Sequence, residues 1–518
     1  MGHLPQRQFK PINAFIIVVM ALGSLAYGYS ASVISTTLAQ PSFYTYFNLS
    51  SRPNENDIIG LMNSLYQAGG FFGTFTVAFS SDRWGRRAGI AIPGALVLVM
   101  GALLTGSVNL TMFIACRFWA GWASYALVSA IPVWMSEVVP AHNRGSLVAV
   151  HGASLLLGYC LAAWVGFCFW HLPASNNWQW RGPMILQCLP VAPLLPCLYW
   201  LPESPRWLAI QGRDAEASHI LKKLHAPDEA EHELLQIKAQ AEIEHRLDSS
   251  YWALFTKPSY RKRCILAFIT TVSIQFCGPI LINNYGPTIY KSLGFSVTKQ
   301  LLYQCGWLTL AFGGGLLSLW VVDTMSRPVL LAGGITGSLV CLTIEAALVA
   351  TYATSPESLA HPNESALQAA VAMFYIYIVI FESALDSGQF VYLGELFSTH
   401  LRAKGISFGV AGVNLINIVW PQVAPTAFST IGWKFYLVFI IPGMAFATLI
   451  FLWFPNTRGM PLEEVAELFG DEANHASAQV VDKEGDSKGR GDRLLSVREP
   501  DTAGAQKLSS HHEEVISV

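Results

Sequence analysis

Long apolar segments alternate with short polar ones along most of the chain. A membrane-spanning helix needs about 20 apolar residues, and six such segments precede a polar stretch while six follow it. We therefore predict an all-α polytopic membrane protein with twelve transmembrane helices in two six-helix bundles. These helices, called spans 1–12, are predicted at residues 13–36, 57–80, 89–108, 112–134, 148–170, 183–201, 262–287, 300–322, 328–352, 367–393, 403–427 and 433–454.

The same pattern divides the chain into five parts. They are a cytoplasmic N-terminus, the first bundle, a cytoplasmic loop, the second bundle and a cytoplasmic tail, at residues 1–12, 13–201, 202–261, 262–454 and 455–518, respectively. In the loop, Leu221 and Leu224 alternate with charged residues, which predicts amphipathic helices lying against the bundle. The tail beyond Phe469 is polar and poor in aromatic residues, which predicts disorder.

The composition agrees with extensive lipid contact. The 518 residues are 52% hydrophobic and only 13% charged, whereas soluble proteins carry about 25% charged residues. The net charge of −2 gives no indication of a nucleic-acid partner. Nine cysteines without C-x-x-C spacing predict neither a disulfide framework nor a metal site. No nucleophile elbow or phosphate-binding loop is found, so we expect neither an enzyme nor a bound cofactor.

Arginine and lysine are distributed unevenly between the two sides of the predicted membrane. Loops after even-numbered spans are rich in them, whereas loops after odd-numbered spans hold little beyond Arg52, Arg181, Lys291 and Lys299. The positive-inside rule then places both termini in the cytoplasm, and we expect a plasma-membrane protein. Glycosylation sequons begin at Asn48 and Asn363, on the predicted outer side with loop around them.

Charged residues mark the predicted cytoplasmic ends of several spans. Between spans 2 and 3 stands Asp82-Arg83-Trp84-Gly85-Arg86-Arg87, where a glycine turn brings one acid and three bases together. Such a cluster can pin neighbouring helix ends through charge-assisted hydrogen bonds, or it can be a solvated group that only sets topology. The segment Pro202-Glu203-Ser204-Pro205-Arg206-Trp207-Leu208 ends span 6 with prolines.

These segments resemble the sugar porter branch of the major facilitator superfamily over about residues 13–470. The chain also resembles fungal hexose and lactose permease-like transporters in three segments, namely 36–43, 401–405 and 431–434. Further matches are Arg117 in span 4, Pro132 to Gly145, Trp180 to Gln187, Glu395 to Arg402 and Pro455 to Glu464. The resemblance implies two bundles of inverted repeats and alternating access around a central site.

The resemblance also implies a set of gating residues. Their ion pairs would close the cytoplasmic side in the outward-facing state and separate in the inward-facing state. The residues are Asp82, Arg83, Arg86, Arg87, Glu137, Arg144, Glu203, Arg206, Glu395 and Arg402. The second-half counterpart of the Asp82–Arg87 motif is reduced to Asp323-Thr324-Met325-Ser326-Arg327, so we expect the two halves to contribute unevenly to the gate.

The substrate site departs from the sugar porter pattern. Where the family carries amides, Gly152, Ile274 and Ile280 stand here. Loss of hydrogen-bond partners weakens binding of a hydroxylated ligand by about 1 kcal/mol each. The remaining candidates for substrate binding are Gln275, Asn283, Asn284, Asn417 and His151, each of which could instead bond neighbouring helices.

Coupling is a further departure. Proton-linked members carry an Asp that pairs with the span-4 arginine, here Arg117, but the corresponding residue is Ser30, which cannot change charge near neutral pH. Glu382 and Asp386 in span 10 could bind the proton instead. Uniport and proton symport both remain open, and we interpret Glu345 in span 9 as a structural acid.

Three functions are compatible with the sequence. The leading hypothesis is a carrier that moves a sugar or sugar-like solute across the lipid bilayer. The altered residues Gly152, Ile274 and Ile280 favour an alternative, a carrier for another organic solute or secondary metabolite. The third is a non-transporting sugar receptor, although such sensors carry longer cytoplasmic tails than this one.

Overall fold

The structure is a computed structural model that describes residues 11–138, 144–224, 230, 233–238, 252–353, 363–397, 399–460, 464–465 and 468–470. Regular secondary structure in these ranges is entirely helical. Residues 1–10, much of the predicted loop between 225 and 251, and the predicted disordered tail beyond residue 470 lie outside the described residues.

The first half contains spans 1–6. Their bounds are Pro11–Thr37, Glu55–Trp84, Arg86–Thr105, Leu110–Val138 and Arg144–Trp170 for spans 1–5, and two short helices, Trp178–Leu186 and Val191–Cys197, for span 6. Span 6 is interrupted at Pro190, in a stretch that also holds Pro183, Pro193 and Pro196. Proline lacks the N–H that helix continuation requires.

The second half contains spans 7–12. Spans 8, 9 and 11 are continuous helices at Val297–Val321, Arg327–Tyr352 and Thr399–Thr430. Span 7 has two parts, Pro258–Gln275 and Pro279–Ser292, separated at Gly278, whose φ of 77° is readily adopted only without a side chain. Span 12 has a 3₁₀ turn at Gly432–Tyr436 before its helix at Leu437–Trp453.

Span 10 changes its helical hydrogen-bonding pattern near its middle. It runs as an α-helix over Glu364–Ile380, as a π-helix over Phe381–Asp386 and again as an α-helix over Ser387–Leu396. Single π-helical turns inside α-helices frequently occur at functional sites. This turn contains both acids that the sequence analysis singled out.

Ten helical segments of the described chain are long and apolar enough to cross a membrane. Span 2 and the interrupted span 6 are not among these ten. The loop between the halves contains short helices at Pro205–Ile210, Asp214–Leu224 and Ala253–Thr256. Leu221 and Leu224 are buried, and Leu224 packs in the apolar core of the first half.

The two ends of the bundle differ in charge. Spans 2, 4 and 10 finish at one end, where Arg86 and Arg327 begin spans 3 and 9. We call it the basic end and the opposite one the distal end. Within the first half, Gly28 and Gly158 let the backbones of spans 1 and 5 touch, as small residues do between membrane helices.

Candidate functional site

Spans 2 and 11, from opposite halves, are held together at the distal end by hydrogen bonds. Ser64 Oγ donates to Gln422 Oε1 at 2.7 Å, and Asn56 Nδ2 donates to Ser429 Oγ at 3.0 Å. Gly60 permits this approach, because a Cβ at its position would lie 2.6 Å from the backbone oxygen of Gln422. The halves are therefore closed against each other at this end.

The second part of span 7 completes the closure. Asn63 Nδ2 donates to the Tyr285 hydroxyl at 2.9 Å, and that hydroxyl donates to the backbone oxygen of Pro421 at 2.7 Å. Ser32 Oγ in span 1 donates to Asn283 Oδ1 at 3.2 Å. Span 7 thus bonds to spans 1, 2 and 11 through Asn283 and Tyr285, which are two residues apart.

At the basic end, the first half contains a compact charge network. The Arg86 guanidinium binds Glu137 through two hydrogen bonds, Nε to Oε2 at 2.9 Å and Nη2 to Oε1 at 3.0 Å, and also contacts Asp82. Glu203 Oε1 accepts the backbone N–H groups of Arg86 at 2.9 Å and Arg87 at 3.2 Å. The network joins the ends of spans 2, 3, 4 and 6, so the motif is more than a solvated cluster.

The second half repeats this geometry despite its reduced motif. Arg327 Nη2 donates to Glu395 Oε1 at 2.6 Å and to Asp323 Oδ1 at 3.3 Å. Thr457 Oγ1 donates to Glu395 Oε2 at 2.6 Å, and Asn456 Oδ1 accepts the N–H of Arg327 at 3.2 Å. Asp323, Arg327 and Glu395 therefore match Asp82, Arg86 and Glu137, with a neutral amide where the first half has Glu203.

The remaining predicted gating residues take less defined places. Arg83 is exposed, Arg206 is half-buried, and the side chain of Arg144 lies outside the described residues. Arg402 is half-buried, and its Nε finds no hydrogen-bond partner in the described chain. In this structure, Glu137 and Glu395 each pair within their own half. The ion pairs that would close the cytoplasmic side in the outward-facing state remain a prediction.

The predicted substrate amides are buried in the second half. Gln275 ends the first part of span 7, Asn284 lies on its second part, and Asn417 lies on span 11. A further buried amide, Asn414, precedes Asn417 by one turn. Asn284 Oδ1, Asn417 Oδ1 and both amide atoms of Asn414 have no hydrogen-bond partner among the described residues. An unpaired buried polar group costs about 1–3 kcal/mol, so these atoms are available to a polar ligand or to water.

His151 and Gly152 form a different kind of surface on span 5. His151 Nδ1 lies 2.7 Å from Ser24 Oγ, which joins spans 5 and 1. A Cβ placed on Gly152 would meet no atom within 4 Å. The position where related carriers have an amide therefore opens onto unfilled space.

A cluster of four tyrosines, which the sequence alone did not indicate, lies between the spans of the first half. The Tyr27 and Tyr125 rings meet edge to face with centroids 5.0 Å apart, and Tyr159 lies 6.5 Å from Tyr27. The Tyr66 ring follows at 6.1 Å from Tyr125. These residues come from spans 1, 2, 4 and 5, so only the tertiary fold brings them together.

The two acids of span 10 occupy the π-helical turn. Glu382 is buried and its Oε2 has no partner among the described residues, whereas Asp386 Oδ1 accepts a hydrogen bond from Gln389 Nε2 at 3.2 Å. Glu382 packs against Gly314 of span 8, and the next residue, Gly315, lies against Leu156 of span 5. The π-helical turn is therefore close to the interface between the halves.

Arg117 is a buried cation on span 4. Its guanidinium carbon lies 4.3 Å above the centre of the Tyr66 ring, and its Nε donates to the backbone oxygen of Met62 at 3.3 Å. Its Nη1 has no hydrogen-bond partner in the described part of the chain. Ser30 accepts a hydrogen bond from Ser124 at 3.2 Å and supplies no charge.

Two predicted features lie away from this interior. Glu345 on span 9 is fully buried with both carboxyl oxygens unpaired among the described residues.

The sequon residues Asn48 and Asn363 are both exposed. Asn48 has a φ of 50° after the short helix Pro41–Phe47, and Asn363 Oδ1 caps span 10 by accepting the N–H of Ala366 at 3.2 Å. Glycosylation remains a prediction.

Two helical halves that enclose buried polar groups and close against each other at one end define a membrane carrier of the major facilitator class. The chain belongs to the "Sugar (and other) transporter" family, whose model matches residues 16–469. This confirms the predicted family and a carrier rather than an enzyme.

Known proteins match along nearly their whole length. The MFS-type transporter criB of Aspergillus cristatus is 29% identical over 461 residues, covering 88% of this chain and 92% of the relative. A probable quinate permease of Aspergillus terreus is 28% identical, covering 88% and 86%. The inward-open structure of the xylose transporter XylE from E. coli superposes with a TM-score of 0.72 at 22% identity, covering 88% and 99%. This last match confirms the twelve-helix fold.

Proposed function

We propose that the protein moves a sugar-like, polyhydroxylated solute across the membrane by alternating access. The observation that carries the proposal is the group of buried amides, Asn284, Asn414 and Asn417, whose side-chain oxygens, together with the Nδ2 donor of Asn414, are unpaired among the described residues. Solute hydroxyls are complementary to such amides, since each donates and accepts hydrogen bonds. Gln275 and Asn283 are further buried amides of span 7, and His151 on span 5 is the proposed contribution of the first half.

The proposed orientation places the basic end in the cytoplasm. Arg86, Arg87 and Arg327 all lie at that end, and lysine and arginine favour the cytoplasmic side. Both termini are then cytoplasmic, and the plasma membrane is the proposed location. With the distal end closed by spans 2 and 11, the present conformation would face inward.

Uptake of labelled hexose, disaccharide and polyol in yeast lacking its own sugar carriers tests the proposal. We expect saturable uptake of at least one solute, and Asn417→Ala should reduce it about tenfold or more, because one to two hydrogen bonds are lost. Asn54→Ala is the matched control, since Asn54 is exposed and its side chain caps no helix. Absence of uptake across the whole panel contradicts the proposal.

Proton coupling through span 10 is part of the same proposal. Glu382 and Asp386 lie close to the interface between the halves, where a carboxyl can bind a proton on one side and release it on the other. Arg117, the buried cation of the first half, is the third residue of the proposed coupling set. Uniport is the alternative, and the pH experiment in the Discussion separates the two.

A second candidate function is transport of a less hydroxylated organic solute. The open space at Gly152 and the tyrosine cluster of Tyr27, Tyr125 and Tyr159 favour it, because aromatic rings bury large apolar area. A thermal-shift screen separates the candidates, since a ligand at 100 times its Kd stabilises by about 2.7 kcal/mol. Stabilisation by aromatic metabolites but by no sugar would favour the second function.

A further inference from the structure

Arg117 is a buried charge whose counter-ion is missing from its surroundings. It is 1% exposed, and within the described residues it donates to a backbone oxygen and lies over an aromatic face. The ion pairs of the described residues connect Arg86, Arg213 and Arg327 to carboxylates but leave Arg117 without one. Its Nη1 is also unpaired there.

The cation–π contact with Tyr66 does not replace an anion. Such a contact contributes about 2 kcal/mol when desolvated, whereas the effective cost of burying an ion is several kcal/mol. A guanidinium stays protonated under physiological conditions. The positive charge of Arg117 is therefore uncompensated within the described residues. An anion that binds there would compensate it.

The position of Arg117 connects it to the distal closure. Its Nε bonds the backbone oxygen of Met62, and the next residue, Asn63, holds Tyr285 of the second half at 2.9 Å. Opening of the distal end would break the Asn63–Tyr285 bond, which is one residue from the backbone oxygen that holds Arg117.

We propose that Arg117 binds the carboxylate of the transported solute, so that the substrate class is a polyhydroxylated monocarboxylic acid. The inference rests on the proposed function, because the buried amides of spans 7 and 11 would bind the hydroxyls of the same molecule. Nη1 donates to a carboxylate oxygen, and the solute supplies the negative charge that Ser30 does not. Arg117 is then a specificity-determining residue.

The acids of span 10 are compatible with this assignment. Glu382 and Asp386 would repel an anionic solute if both were ionised, so the bound state favours a proton on the pair. An anion and a proton that cross together carry no net charge. Uptake of the acid should therefore be insensitive to membrane potential while it depends on a proton gradient.

The test compares two solutes that differ only at one carbon, D-gluconate and D-glucitol, in yeast expressing the full chain. The readout is the ratio of gluconate to glucitol uptake. The wild type should favour gluconate, Arg117→Gln should lower the ratio at least tenfold, and Arg117→Lys should lower it less. Arg181→Gln is the matched control, because Arg181 also lies over an aromatic ring, Trp180, but at the distal surface.

Size-exclusion profiles would reveal any misfolding of the Arg117 variants. Ser30→Asp is a second test that does not depend on them, because it leaves Arg117 in place. The resemblance to proton-linked relatives implies that an acid at residue 30 pairs with Arg117, so this variant should also lower the ratio. An unchanged ratio in both Ser30→Asp and Arg117→Gln overturns the inference. Wild-type uptake of glucitol without gluconate overturns it too but leaves the proposed function intact, whereas uptake of no polyhydroxylated solute overturns both.

Discussion

Glu203, at the end of span 6, accepts the backbone N–H groups that begin span 3 at Arg86 and Arg87, at 2.9 and 3.2 Å. The carboxylate lies where the helix dipole is positive, which is the favourable place for an anion. A Cβ on Gly85 would lie 2.5 Å from Glu203 Oε2, so the glycine, with a φ of 96°, is needed for this approach. One acid thereby ties the sixth span to the third.

Replacing Glu203 by alanine should lower the stability of the carrier by about 1–2 kcal/mol, as loss of a helix cap does. Glu203→Gln should retain part of the effect because its amide oxygen can still accept. Thermal unfolding in detergent provides the measurement. Glu216→Ala is the control, since Glu216 forms an exposed ion pair with Arg213, and such pairs contribute little. Equal losses in both variants would contradict the capping role.

The charge network around Arg327 in the second half should contribute as much to stability as the network around Arg86 in the first half. Arg327→Met and Arg86→Met should each destabilise by about 3 kcal/mol, because each leaves a half-buried glutamate without its partner. The reduced motif around Arg327 alone would suggest a much smaller effect there. Parallel melting curves of the two variants decide between these expectations.

Gly60→Ala should hinder closure of the distal end. The added methyl group would lie 2.6 Å from the backbone oxygen of Gln422, so spans 2 and 11 must separate. We expect slower transport together with faster labelling of an introduced Asn63→Cys by a membrane-impermeant thiol reagent. Gly313→Ala is the control, because a Cβ there meets no atom within 4 Å. Unchanged labelling would show that the close contact of spans 2 and 11 at Gly60 does not limit closure of the distal end.

The pH dependence of uptake distinguishes symport from uniport. If Glu382 and Asp386 carry the proton, wild-type uptake should rise from about pH 8 to about pH 5, and Glu382→Gln or Asp386→Asn should flatten that profile. Counterflow of solute, which needs no net proton movement, should survive in the variants. A flat wild-type profile would leave uniport as the mechanism.

Local pattern was sufficient to predict the twelve spans, because lipid requires a long apolar stretch for each helix. It also identified Glu382 and Asp386, since acids are conspicuous in such stretches. It did not predict the network of Arg327 and Glu395, which are 68 residues apart and meet only through tertiary packing. We expected uneven halves because the second-half motif matches fewer residues of the family pattern. The charge network of each half, however, is built from one Asp, one Arg and one Glu, and both halves have these three residues.

The tyrosine cluster was missed for the same reason. Tyr27, Tyr125 and Tyr159 lie in three different spans, and aromatic residues are ordinary in apolar helices. The break in span 7 and the π-helical turn in span 10 were missed because each segment is apolar enough to cross a membrane as one continuous helix. Gly278 and Pro279 allow the break in span 7, whereas the π-helical turn of span 10 contains neither proline nor glycine.

The unfilled neighbourhood of Gly152 makes this carrier a practical starting point for engineering. The first carbon of a new side chain would displace no neighbouring atom, since none lies within 4 Å of it. A small residue there should therefore leave the helix contacts that open and close the protein unchanged. A small library at this single codon could therefore retune cargo selection while leaving the moving parts untouched.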